Sequence, residues 1–119
     1  MKSDRIRRVN EILKRELSDR AEKLISSEVD ALATITEVHT SADLRHAEVF
    51  VSVMGDAAQQ AKALRVFKKH RSEFQTAIAR RIPIKFTPVL KFKIDATQER
   101  ADRILSIIEE LDVDETSDS

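Results

Sequence analysis

Arg45-His46-Ala47-Glu48-Val49-Phe50-Val51-Ser52-Val53-Met54-Gly55-Asp56 changes its periodicity partway along, and the fold follows from that change. Ala47, Val49, Val51 and Val53 alternate with His46, Glu48, Phe50 and Ser52, a period of two that buries one face of a β-strand. Gly55-Asp56 ends the alternation. Asp56 is a helix N-cap residue, and Ala57, Ala61, Leu64 and Phe67 follow at helical spacing, so a helix is predicted directly after the strand.

Upstream, Thr34, Ile35, Thr36 and Val38 are β-branched and favour a second strand over Ala33 to Thr40. The link Ser41-Ala42-Asp43-Leu44 carries a Ser and an Asp able to bond their own backbone, which predicts an antiparallel hairpin. Before it, Ile6, Val9, Leu13, Leu17, Ala21 and Leu24 recur at intervals of three and four, the stripe of an amphipathic helix from about Asp4 to Ser26. Arg5, Arg7 and Arg8 crowd its first turns, where the helix dipole disfavours cations, and this suggests a role beyond solvation.

Downstream, Phe74, Ala77, Ile78 and Ile82 are helical in spacing but out of phase with the preceding stripe. Lys68-Lys69-His70-Arg71 is polar where that stripe would have continued. Two helices meeting at a bend near His70, Arg71 and Ser72 account for this, with Lys68, Lys69 and Arg71 gathered at the corner beside the second helix's N-terminal amides. Pro83 stops that helix. Leu90, Phe92 and Ile94 then alternate with Val89, Lys91 and Lys93 as a third strand. Asp95 and Gln98 have capping-box spacing before a last helix with Ala101, Ile104, Leu105, Ile108 and Leu111. The order is α-β-β-α-α-β-α, an α+β domain with helices on one face of a three-stranded sheet over residues 1–111. Residues 112–119 read as an acidic, disordered tail.

The net charge is zero, yet the charges are sorted along the chain. From Gln60 to Lys93 there are ten Lys and Arg and a single acid, Glu73, whereas Glu109, Glu110, Asp112, Asp114, Glu115 and Asp118 follow Ile108 without a base. Such a basic stretch attracts polyanions, with RNA or DNA first among them. There is no cysteine and one glycine, which closes off thiolate chemistry, cysteine-ligated zinc, P-loops and glycine-rich dinucleotide sites. His39 and His46 flank a turn holding Asp43, but strand histidines beside a turn are ordinarily half-exposed, so neither metal nor cofactor is expected. Ser41, Ser52 and Ser72 have no flanking motif that would activate a nucleophile, and no glycoside-type carboxylate pair stands out. The reading is a non-enzymatic protein with no small-molecule substrate. Without a run of about 20 apolar residues or a signal-like N-terminus, no membrane association is expected, and the cysteine-free chain suits the cytoplasm. Of the five Phe, Phe67, Phe74 and Phe92 lie on core stripes. Phe50 and Phe86 could each stack a base or pack under a helix, and in the absence of Trp and Tyr recognition should rest on phosphate and on RNA shape.

Three separated motifs give the chain a family resemblance. Arg5-Ile6-Arg7-Arg8-Val9, the hairpin Val38-His39-Thr40-Ser41-Ala42-Asp43-Leu44-Arg45-His46-Ala47-Glu48-Val49-Phe50-Val51-Ser52-Val53-Met54-Gly55, and Thr87-Pro88-Val89-Leu90-Lys91-Phe92-Lys93-Ile94-Asp95 resemble the opening, hairpin and third strand of ribosome-binding factor A. The match spans about Arg5 to Leu111 with spacing preserved. The resemblance implies a type II K homology domain that binds 16S rRNA in the immature 30S subunit and promotes maturation, including 5′-end processing of the precursor. It also implies that rRNA near the decoding region is held immature until release by another factor. The family's helix kink, usually Ala-x-Gly, aligns with His70-Arg71-Ser72, a departure in which serine replaces the freer glycine. An arginine common in the family a few residues later is Gln75 here, which removes one expected phosphate contact.

The candidate RNA-binding residues are Arg5, Arg8, Arg45, Lys68, Lys69, Arg71, Arg80, Arg81 and Lys85, and a monomer docking on the small subunit is the expected form. Two other classes share these features. One is a general structured-RNA module acting outside the ribosome, and the other a protein–protein adaptor whose bases serve solubility.

Overall fold

The computed structural model describes residues 4–29 and 31–95. Helix α1 spans Asp4–Leu24, strand β1 Ala33–Thr40, strand β2 His46–Val53, helix α2 Ala57–Lys69, helix α3 Arg71–Arg81 and strand β3 Val89–Ile94. The predicted last helix and the acidic tail lie outside the described residues.

The sheet runs β1-β2-β3. β1 and β2 are antiparallel, from Ala33 opposite Val53 to Thr40 opposite Ala47, and β3 lies parallel to β2 with Val49 opposite Phe92. The hairpin register shifts between Ile35 and Glu37. A bulge there puts Ile35 and Val38, three positions apart, on the same buried face, which a strict alternation would forbid. α1 packs on β1, α2 on β2 and β3, and α3 on α1 and β3, so the helices share one face of the sheet.

Between these layers sits one core. α1 contributes Val9, Leu13, Leu17 and Ala21, the sheet Ile35, Val38, Ala47, Val49, Val51, Val53, Leu90 and Phe92, and the other helices Ala63, Phe67, Phe74 and Ile78. The rings of Phe67, Phe74 and Phe92 lie 5.4 to 5.9 Å apart, tying α2 and α3 to β3. The apolar face expected for α2 is rotated. Phe67 is buried and Leu64 half-buried as expected, but Ala57 and Ala61 are exposed and Ala63 is buried instead. Methyl side chains offer too little area to orient a helix, so Phe67 decides which face turns inward.

Local chemistry fixes the joints. Asp56 caps α2 in a capping box, accepting from the Gln59 N–H at 2.8 Å while the Gln59 side chain accepts from the Asp56 N–H at 2.9 Å. Asn10 Oδ1 accepts from both the N–H and the hydroxyl of Thr40, at 2.9 and 2.7 Å, satisfying the buried end of β1. The first turns of α1 therefore stand at the hairpin end of the sheet. No helix of the described residues is long and apolar enough to cross a membrane.

Candidate nucleic-acid interface

The hairpin turn is held by its own side chains. Asp43 accepts from the Ser41 hydroxyl at 2.6 Å and from the Arg45 N–H at 3.0 Å, and the Ser41 hydroxyl accepts from the His46 N–H at 3.1 Å. The Ser41 bond, then the Arg45 backbone bond, hold the Asp43 carboxyl below its ordinary value. Leu44 takes φ 60°, a conformation that costs a non-glycine residue about 1 kcal/mol or more and that this network maintains. Its side chain packs on the core and Arg45, the next residue, is left exposed.

Arg45 meets the loop that enters β3. Its carbonyl accepts from the Val89 N–H at 2.8 Å. Its guanidinium lies 4.9 Å from the centre of the Phe86 ring, and Lys85 Nζ lies 5.4 Å from the same ring. Arg5 and Arg8, just before Asn10 on α1, belong to this end of the molecule as well. Arg5, Arg8, Arg45 and Lys85 make no ion pair among the described residues.

The corner between α2 and α3 is different. α2 ends at Lys69 and α3 begins at Arg71, so the break falls on His70, at φ −95° and ψ 12°. Lys69 Nζ donates to Glu28 at 2.7 Å. His70 engages Glu28 through Nε2 and Glu73 through Nδ1, the latter at 2.8 Å. Carboxylates beside both ring nitrogens favour the imidazolium, which can donate to both. These bonds, Glu28 first and Glu73 second, raise the His70 pKa against the opposing effect of burial. Lys69, then His70, lower that of Glu28. Two carboxylates thus occupy the corner at which the helix amides and three bases were expected to meet a phosphate.

Charge sorted along the chain is therefore partly mixed in space. Glu28 joins Lys69, Glu16 lies 3.3 Å from Arg81, and Glu48 lies 2.5 Å from Lys93. None of these acids falls inside the basic stretch, so their partners were invisible to a reading of that stretch alone. Lys68 and Arg80 remain exposed and without an ion pair among the described residues. Arg71 faces β3, lining a shallow depression with His46, Glu48, Lys91 and Lys93, and its buried Nε has no hydrogen-bond partner among the described residues. One turn on, Gln75 Oε1 accepts from the Leu90 N–H at 3.3 Å, so the residue that departs from the family's arginine braces α3 against the edge strand. The described residues contain no group of three His, Cys, Asp or Glu able to hold a metal ion.

Comparison with known proteins shows the family of the chain. The family profile described as Ribosome-binding factor A matches residues 5–108. The Ribosome-binding factor A of Opitutus terrae is 41% identical over 110 residues, 92% of this chain and 89% of that protein. That of Acetivibrio thermocellus is 37% identical over 108 residues, 90% and 88% of the two chains. The crystal structure of ribosome-binding factor A from Thermus thermophilus superposes with a TM-score of 0.66 at 25% identity, covering 75% of this chain and 94% of that one. Coordinates of the Thermus thermophilus factor fitted into the cryo-EM map of a 30S complex superpose with a TM-score of 0.60 at 26% identity, covering 72% and 90%.

Proposed function

Because the chain belongs to the ribosome-binding factor A family, we propose that it binds 16S rRNA in the immature 30S subunit and promotes maturation, including 5′-end processing of the precursor, without catalysing a reaction itself. It acts as a monomer in the cytoplasm. A relative's coordinates fitted into a 30S map support the small subunit as the partner.

The observation that carries the RNA reading is the hairpin end of the molecule, where Arg5, Arg8, Arg45 and Lys85 form no ion pair among the described residues. Unpaired cations meet phosphate without first surrendering a partner, and they release counterions when they do. The bases at the α2–α3 corner play a smaller part, since Glu28 already holds Lys69.

Co-sedimentation with mature and precursor small subunits across a salt series tests the proposal. Salt-sensitive preference for precursor subunits, lost when Arg45 and Lys85 are changed to Glu, is the expected result. Equal binding to unrelated structured RNAs would instead make the protein a general RNA module, and no RNA binding at all would leave a protein adaptor.

A further inference from the structure

Phe86 is the aromatic side chain that the core leaves outside. Phe67 and Phe74 are fully buried, Phe92 is 2% exposed, and half-buried Phe50 meets His39 edge-on at 5.3 Å. Phe86 is 47% exposed, on a loop bounded by Pro83 and Pro88. The loop is anchored at both ends. Pro88 is fully buried, Ile84 N–H donates to the Ile82 carbonyl at 2.9 Å, and the Val89 bond to Arg45 ties the loop to the hairpin turn. Two cations, Arg45 and Lys85, lie beside the ring.

That combination selects its ligand. Two cations beside the ring repel ammonium ligands, which would otherwise suit an exposed aromatic. They attract an anion, while the ring offers a flat apolar face. A nucleotide supplies a negative charge and a π-face a few ångströms apart, and an unpaired one leaves its base free to stack. Building on the RNA-binding reading above, we propose that Phe86 is the stacking platform for an unpaired rRNA base, with Arg45 and Lys85 receiving the adjoining phosphates.

The chain contains no Trp or Tyr, so Phe86→Trp would create its sole indole and place a fluorophore at the platform. The probe is a single-stranded oligoribonucleotide of about ten mixed nucleotides, titrated into the full-length protein. Base stacking is expected to quench the indole over the concentration range in which the unaltered protein binds. Phe86→Ala should weaken binding between about fivefold and about a hundredfold without altering the salt slope, because no phosphate contact is removed. Arg45→Ala should reduce the slope itself. Unquenched indole emission, together with unchanged affinity of Phe86→Ala, would overturn the proposal while leaving RNA binding intact. Failure of the unaltered protein to bind either the oligonucleotide or precursor subunits would instead overturn the function on which it rests.

Discussion

Glu28 and His70, forty-two residues apart, share a hydrogen bond that closes the chain across the α2–α3 joint. The other oxygen of the same carboxylate holds Lys69, so Glu28 grips two consecutive residues at the point where the helix breaks. Without a glycine at the joint, the break is maintained by charge.

The joint should therefore respond to pH. The folded state holds the proton of His70 more tightly than the ordinary value of 6.5. Its contribution to stability is complete below that value and is lost as pH rises through the raised one. Glu28 behaves in the opposite sense. Its stabilisation is complete above the ordinary 4.5 and is lost as pH falls through its lowered value. The clamp is strongest between the two, so the urea midpoint should decline as pH is raised past 6.5. His70→Gln should flatten that decline. An equal decline in the variant would remove His70 as its source.

Ion pairing ranks the bases by use. Arg45 and Lys85 should each account for about 0.7 of the log–log salt slope if single-stranded rRNA is bound. Lys69→Ala and Arg81→Ala should change the slope less, since Glu28 and Glu16 compete for those side chains. Filter binding of each alanine variant across a salt series separates the two groups, and equal slope losses would contradict the ranking.

Gly55 has φ 150°, and a Cβ there would stand 2.3 Å from Gln59 Oε1, the oxygen that completes the α2 capping box. Gly55→Ala combines backbone strain with loss of that bond and should cost more than about 1 kcal/mol. Asp56→Ala, which removes the other half of the box, should cost about 1 kcal/mol. Denaturant unfolding measures both, and RNA affinity below the transition should stay at the unaltered value.

Phe67 is fully buried between α3 and β3. Phe67→Ala should lower stability by about 3–5 kcal/mol. Combined with Phe74→Ala, the loss should fall short of the sum, because the two rings stack on each other at 5.9 Å. Additive losses in a double-mutant cycle would show that the rings act independently.

Much of the fold was legible because one face of each element is large and apolar. Val49, Val51 and Val53 announce their strand by alternation, and Leu13 and Leu17 their helix by spacing. The register shift after Ile35 was not legible, since Thr34, Ile35 and Thr36 are all β-branched and none marks the extra residue. Neither was the rotation of α2, where alanines were read as core. The site was harder. Arg45 and Lys85 stood out as bases, but what separates them from Lys69 and Arg81 is the presence of Glu28 and Glu16, and those partnerships are formed by tertiary packing. Phe86 remained ambiguous until the loop's position left its ring uncovered.

The parallel pairing of β2 with β3 has a consequence in time. Val49 and Phe92 become neighbours only after both intervening helices have been laid down, whereas the β1–β2 hairpin closes over a few residues. Contacts between distant stretches carry the larger loop-closure cost and are expected to form late in folding. The Val89 bond to Arg45 belongs to that late class, and it joins Arg45 to Phe86 and Lys85. The cation–aromatic corner therefore assembles only when β3 docks beside β2, and the RNA contact proposed for it waits on that step.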